Sequence, residues 1–273
     1  MTTNFLVVGG TGKTGRRVAD RLRERGLPVR SASRRGVPPF DWGDRGTWAP
    51  ALDGAGAVYL TYYPDLVVPD AAGDIRAFAE LAVAAGVRHL VLLSGRGEEE
   101  AEACEGIVRA AGTGWTILRC SWFAQNFSEH FLLDAVRAGE IALPAGTVTE
   151  PFVDVRDLAD VAVKVLTEPG HTGELYELTG PRLLSFADAA TAIAAASGRD
   201  VRYVPVSAGE FAAAAATQGM PEAEAGALAE LFARVLDGRN SSVTSDVERV
   251  LGRPATEFAD FARDAAATGV WAR

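Results

Sequence analysis

Gly9, Gly12 and Gly15 form a GxxGxxG spacing within FLVVGGTGKTGRRVADRL, between a short apolar run and a helical pattern. Glycine at each place answers a physical need. The first permits a tight turn. The second removes a side chain, so that a pyrophosphate can approach the backbone. The third lets helix and strand pack closely. A phosphate held there meets the N-terminus of the helix, where free N–H groups and the helix dipole favour negative charge. Thr11, Lys13 and Thr14 share the turn. A tight turn alone would also use glycine. Its place after the first strand candidate, at the start of a βαβ unit, marks it as a dinucleotide site.

The second half of such a site lies at the end of the second strand, where an acid binds the ribose 2′-hydroxyl of NAD. This chain carries SASRR there, so Ser33, Arg34 and Arg35 offer a hydroxyl and two guanidiniums. Forked Arg donors suit a 2′-phosphate by charge and by shape. Lys13, one of two lysines in the chain, adds a cation inside the glycine turn. The expected cofactor is therefore NADPH or NADP, with NAD disfavoured. The plainer reading leaves Lys13, Arg34 and Arg35 as solvated surface charges.

The elements that must hold these residues follow from the apolar pattern. Strand candidates are 4–9, 28–33, 56–62, 89–94 and 115–120, with helical patterns at 13–26, 69–86 and 99–112. The strands are rich in Val, Leu and Ile, as in a sheet covered on both faces. The βαβα alternation implies a parallel, right-handed α/β sheet. Beyond Cys120 the pattern changes. Residues 121–140 read as one helix, EIALPAG and EPFVDVRDLADVAVKVLTE as a turn, a strand and another helix, 174–180 as a further strand, and the chain from about 181 as mostly Ala-rich helix with one short strand at 202–207. The expectation is a Rossmann-type doubly wound domain over 1–180, with a cap insertion near 125–150, and a mostly helical pocket-forming cap over 181–273.

The bulk numbers narrow the function classes. A net charge of −9 argues against a nucleic-acid surface, which needs a basic field. Cys104 and Cys120 have no CxxC spacing, so neither a zinc site nor a redox dithiol is expected, and no metal is assigned. The start MTTNFLVVGG lacks a basic leader, and no run approaches the roughly 18 apolar residues of a membrane helix. The expected setting is cytoplasmic, without membrane contact, and an exposed face of the Ala-rich cap could serve a homodimer.

The later segments resemble a known family. VRHLVLLSGRGEEEAEACEGIVRAAGTGWTILRCSWFAQNF is similar to the central strands of NmrA-like atypical short-chain dehydrogenase/reductases. There a strand ending in Ser, here Ser94, leads through a helix to a T-hydrophobic-hydrophobic-R strand, here Thr116 to Arg119. An F-x-x-N helix follows, here Phe123 to Asn126. PFVDVRDLADVAV, with Asp154 and Asp157, and VLGRPATEFADFARD continue the likeness to the C-terminal end. Within the family, GGTGKTGRRV, DWGD and VYLTYYPD most resemble the ergot-alkaloid reductases of the agroclavine dehydrogenase type and their bacterial relatives, which implies NADPH-dependent iminium reduction. The Arg-rich, Lys-poor and Ala-rich composition suggests a high-GC bacterium, and the resemblance implies a role in secondary metabolism. The resemblance also implies that Thr61 to Tyr63 lie by the cofactor ribose and nicotinamide, Ser94 by the nicotinamide, and Asp41 and Trp42, taken to follow a strand of their own, beside the adenine.

One departure shapes the chemistry. Typical short-chain enzymes carry Tyr-x-x-x-Lys. None of the tyrosines here, 59, 62, 63, 176 and 203, has Lys four residues on. An iminium is already a cation and accepts hydride without a proton donor, so positioning alone suffices. The expected activity is NADPH-dependent reduction of a small-molecule C=N, or an activated C=C or C=O. Tyr62 and Ser94 are the catalytic candidates, and Tyr63, Arg96, Trp122, Phe123 and Asn126 the substrate-pocket candidates. Trp122 and Phe123 read equally well as core, His130 as packing or surface. Two other readings stand beside this one: an NADP(H)-sensing regulator that binds a protein partner, and a non-redox isomerase or cyclase.

Overall fold

The computed structural model describes residues 3–129 and 131–272; His130 lies outside the described residues. In chain order the first unit begins with β1 (Phe5–Val8), α1 (Gly15–Glu24), β2 (Val29–Ala32), α2 (Trp48–Leu52), β3 (Ala57–Leu60), α3 (Ala71–Ala84), β4 (His89–Gly95), α4 (Glu99–Arg109) and β5 (Gly114–Cys120). The chain then enters a second unit with α5 (Asn126–Glu129), α6 (Leu133–Ala138), β6 (Glu140–Leu143) and β7 (Thr149–Glu150). It returns to the first for α7 (Val155–Thr167) and β8 (Glu174–Leu178). The second unit resumes with β9 (Leu184–Ser185), α8 (Phe186–Ser197), β10 (Arg202–Pro205), α9 (Ala208–Thr217) and α10 (Glu222–Val235). Helix α11 (Asp246–Leu251) belongs to the first unit and α12 (Phe258–Ala267) to the second. The units are therefore 1–120, 155–178 and 245–254, and 121–154, 179–244 and 255–273.

The first unit is an α/β fold around a six-stranded sheet of order β2-β1-β3-β4-β5-β8, parallel throughout. Strand alternation divides its side chains between two helical layers. Leu6, Val8, Val58, Leu60, Leu90 and Leu92 share one buried cluster with residues of α2, α3 and α4. On the other face α7 packs against β3, β4, β5 and α1. Both faces are thus covered, which is why the strands read as continuous apolar runs. Strand order reverses at β1, with β2 on one side and β3 on the other. Sheets of this kind bind ligands outside the carboxyl ends of the strands at such a reversal.

The second unit carries two small sheets, β6 with β10 in parallel and β7 with β9 antiparallel. Its core is aromatic: Phe127, Phe152, Phe186, Phe258 and Trp271 are all buried. The indole of Trp271 donates to the Phe127 carbonyl at 2.8 Å. Capping boxes start α8 at Ser185–Asp188 and α9 at Ser207–Glu210, each satisfying amides that the helix itself leaves unpaired.

Two sequence expectations fail. The stretch 121–140 is not one helix. Phe123 bridges Val153, and the Val153 amide donates to the Trp122 carbonyl at 3.0 Å. That pairing holds the first residues extended, and helix is confined to the short α5 and α6. Asp41 does not follow a strand of its own, either; after β2, residues 33–44 form a loop closed by an isolated bridge between Asp41 and Asp44.

Candidate active site

The glycine turn sits at the reversal point. Gly9 follows β1 with a φ of +71°, a conformation that costs a side-chain-bearing residue dearly. A Cβ there would also lie 2.3 Å from Thr61 Oγ1. The Thr61 hydroxyl is fixed in that place because it donates to the Val8 carbonyl at 3.0 Å. Gly15 is required for a different reason, since its Cβ would fall 2.3 Å from the Gly9 carbonyl oxygen. Gly10, which lies outside the GxxGxxG spacing, packs on β2, where a Cβ would stand 2.6 Å from that of Ser31. Near Gly12 an added Cβ meets only the Gly9 carbonyl oxygen, at 3.2 Å.

Helix α1 opens from this turn with Thr14 buried at its N-cap and no side chain capping it. Its first turn holds no acid. Lys13, Arg16 and Arg17 surround it instead, and Arg17 donates to the Lys13 carbonyl at 2.7 Å. By contrast α3, α4 and α7 each start with a carboxylate, the usual complement to a helix N-terminus. A glycine cradle leading to an uncapped, acid-free helix start fits a dinucleotide pyrophosphate.

Beyond β2, Ser33 is half-buried, while Arg34 and Arg35 are exposed. The Arg34 guanidinium lies 5.4 Å above the ring of Tyr63, which follows β3 and is 68% exposed. Among the described residues, neither arginine is paired with a carboxylate. The segment thus presents uncompensated positive charge on the rim of the crevice.

Asp41 and Trp42 belong to the wall. Trp42 is 9% exposed, enclosed by Phe40, Trp48, Phe78 and Tyr62. Its indole donates to the Thr61 carbonyl at 3.1 Å. The Asp41 carbonyl accepts from the Trp48 indole at 2.8 Å, and its carboxylate from the Gly43 amide at 3.0 Å.

Both catalytic candidates are hydrogen-bonded to carboxylates. The Tyr62 hydroxyl donates to Asp74 Oδ2 at 2.8 Å, and Asp74 Oδ1 in turn accepts from Arg45 at 2.8 Å. Desolvation, then the bond to the Asp74 anion, pushes the Tyr62 phenol well above its ordinary range. Ser94, 3% exposed, donates to Glu105 Oε1 at 2.7 Å. Glu105 is itself buried and grips Arg119 through two bonds, at 2.9 and 2.6 Å. Arg119 reaches Glu177 at 3.2 Å, and Arg96 reaches the same carboxylate at 3.3 Å. Five residues from β4, α4, β5 and β8, and from the turn after β4, thus form one polar network, buried at Ser94 and Glu105 and partly exposed at Arg96, Arg119 and Glu177. It was invisible in the sequence, where Glu105 stood among surface-like acids.

Of the remaining pocket candidates, Trp122, Phe123 and Asn126 lie in the second unit. The Trp122 ring packs against Phe131, Phe186 and Phe232 at centroid distances of 6.1, 5.5 and 5.4 Å. The Asn126 backbone N–H donates to the Phe123 carbonyl at 3.0 Å. Ser121 is buried, and neither its hydroxyl nor the buried Trp122 Nε1 has a hydrogen-bond partner. Among the described residues no cluster of His, Cys, Asp and Glu could hold a metal ion, and no helix is long and apolar enough to cross a membrane.

Comparison with known proteins agrees with this geometry. Residues 9–169 match the NAD(P)H-binding family model. The chain is similar to an NAD(P)H azoreductase of Xenophilus azovorans, 34% identical, with 96% of this chain and 98% of that one covered. It is also 32% identical to the agroclavine dehydrogenase of Claviceps fusiformis, covering 95% of this chain and 96% of that one. Among solved structures, the NADPH complex of an Escherichia coli NADPH-dependent quinone oxidoreductase superposes with a TM-score of 0.81 at 24% identity. That match covers 95% of this chain and 99% of the other, and it establishes the shared fold.

Proposed function

This chain belongs to the NAD(P)H-binding, NmrA-like family of atypical short-chain dehydrogenase/reductases and is an NAD(P)H-dependent oxidoreductase; from that premise we propose that it uses NADPH to reduce a small conjugated electrophile. The observation that carries the reading is the glycine turn opening an uncapped, acid-free helix, with Arg34 and Arg35 unopposed beyond β2. In this reading Gly9, Gly12 and Gly15, with Thr11 and Thr14, receive the pyrophosphate. Lys13, Ser33, Arg34 and Arg35 hold the 2′-phosphate, which a forked guanidinium binds through two parallel bonds. Thr61, Tyr62 and Ser94 border the ribose and nicotinamide, while Asp41 and Trp42 back the adenine side.

When bound, the reduced nicotinamide supplies hydride. The protein's part is to orient the acceptor and exclude water. Neither Tyr62 nor Ser94 offers a ready proton, because each hydroxyl is already given to a carboxylate. This favours acceptors that take hydride without a protein acid: an iminium, or a C=C, C=O or N=N group whose reduced form is stabilised by conjugation and protonated by solvent. The two named relatives, an azoreductase and a clavine dehydrogenase, fit that description. Tyr63 and Arg96, with Trp122, Phe123 and Asn126, are the residues assigned to hold the substrate.

The test is NADPH oxidation followed at 340 nm with a panel of quinones, azo compounds, cyclic iminium salts and enones. Turnover with one of these classes, with the reduced product identified, is the expected result. Tight NADPH binding with no turnover across the panel would contradict it and leave the regulator reading, in which partner binding follows the NADP to NADPH ratio.

A further inference from the structure

Arg34 and Tyr63 meet from opposite sides of the glycine turn. Strands β2 and β3 flank β1 in the sheet. Arg34 follows β2, Tyr63 follows β3, and the Arg34 guanidinium stands 5.4 Å from the centroid of the Tyr63 ring. That distance lies within cation–π range. The contact thus spans the carboxyl end of β1, and all of it belongs to the first unit. Its two partners are unequally held. The chain just before Tyr63 is anchored at three places. The Thr61 hydroxyl donates to the Val8 carbonyl, the Thr61 carbonyl accepts from the Trp42 indole, and the Tyr62 hydroxyl donates to Asp74. Arg34 instead lies exposed on the loop 33–44, and its side chain is long and rich in rotamers. Tyr63 is exposed as well, so a ligand arriving from solvent can reach both groups.

We propose that Tyr63 is a positioning residue for cofactor selection: its ring holds the Arg34 guanidinium so that the N–H fork meets the 2′-phosphate of NADPH. This role rests on the NADPH reading and deepens it. A guanidinium offers a ring its flat face, while its donors lie in its plane. Contact with the ring therefore leaves the fork open. Among the described residues, the Arg34 guanidinium has no hydrogen-bond or carboxylate partner. Without the ring, a phosphate would have to order an exposed arm from many rotamers, and that ordering lowers affinity. Arg35, also exposed, has no ring beneath it among the described residues. The preference for the phosphorylated cofactor should therefore depend on Tyr63, and depend on it through Arg34.

The experiment uses adenosine 2′,5′-bisphosphate and adenosine 5′-monophosphate, which differ by the 2′-phosphate and lack the nicotinamide half. The substrate contact assigned to Tyr63 bears on neither probe. Calorimetry at one ionic strength gives their affinities for the wild-type protein, Tyr63→Leu, Tyr63→Phe, Arg34→Ala and the double variant Tyr63→Leu with Arg34→Ala. The wild-type protein is expected to prefer the bisphosphate at least about tenfold, as a charge-assisted contact gives. Tyr63→Leu should cut that preference about two- to fivefold, the size of an exposed cation–π contact. Tyr63→Phe, which keeps the ring, should retain it. In the Arg34→Ala background, Tyr63→Leu should change nothing, as befits a residue that acts through another. Equal weakening of both probes by Tyr63→Leu would put the ring against the adenine and overturn the proposal. So would a loss in Tyr63→Phe as large as in Tyr63→Leu, or an effect of Tyr63→Leu that persists without Arg34. A preference that needs Arg34 but not Tyr63 removes the positioning role and leaves the NADPH reading standing. Binding of neither probe, or no preference in the wild-type protein, overturns both.

Discussion

Tyr62 and Asp74 meet at 2.8 Å, phenol to carboxylate, with Arg45 on the other oxygen of Asp74. The tyrosine that follows β3 therefore spends its proton on a structural partner. Tyr62→Phe is expected to lower kcat by less than about tenfold, against the roughly 10²–10⁴-fold typical of losing a general acid. Steady-state kinetics of the variant decide this. A loss of the larger size would make Tyr62 the proton donor.

Arg119 neutralises the buried Glu105, and Glu105 in turn holds the Ser94 hydroxyl. Arg119→Met should leave the buried Glu105 with only the exposed Arg109, 3.5 Å away, for a cation, and destabilise the fold by about 1–3 kcal/mol. Replacing both partners with apolar residues should recover much of that loss. Denaturant unfolding of the single and double variants measures it. A single variant as stable as the wild type would show that the pair carries no structural weight.

Gly15 leaves no room for a methyl group beside the Gly9 carbonyl. Gly15→Ala is expected to shift the turn, weaken NADPH binding at least about tenfold, and cost about 1–3 kcal/mol of stability. Cofactor titration and thermal unfolding of the variant test both halves. A variant that binds NADPH normally would remove the turn from the site.

Acid should weaken the fold through His89. The Thr116 hydroxyl donates to the His171 carbonyl at 2.6 Å, so it accepts the His89 Nε2–H at 2.8 Å, which sets the tautomer of the neutral ring. Burial, then the nearby His171, lowers the His89 pKa from its ordinary 6.5. The unfolded chain thus binds more protons than the folded one. Stability is full above the ordinary imidazole value and declines as pH falls below it toward the depressed folded value. In His89→Gln, which keeps a donor for Thr116, this decline should be shallower. Unfolding midpoints measured between about pH 5 and 8 report it, and parallel curves for the two proteins would assign the acid sensitivity to other groups.

Much of the first unit was legible because its signals are local. Val7, Val58 and Leu92 sit in apolar runs that can only be sheet interior, and the glycines announce the turn by spacing alone. The misread segment shows the limit. Trp122, Phe123, Phe127 and Phe131 mimic a helical stripe, yet a pairing with Val153, thirty positions on, holds the first two extended. The same holds for Gly10, whose constraint comes from Ser31 on a neighbouring strand. Ser94 was readable as a strand end, but its partner Glu105 lay hidden in an acidic helix start until α4 packed against β4 and β5. Contacts between elements, rather than patterns within them, decide which of these polar groups are spent and which are left for a ligand.

The most direct measurement of the central claim is fluorescence titration with NADPH and with NADH, on the wild-type protein and on Arg34→Ala. NADPH should bind the wild-type protein at least about tenfold more tightly than NADH. The substitution should remove most of that preference, as expected of a charge-assisted contact of about 1.5–3 kcal/mol, while NADH binding stays the same. Equal affinities in the wild-type protein, or a preference that survives the loss of Arg34, would contradict the account.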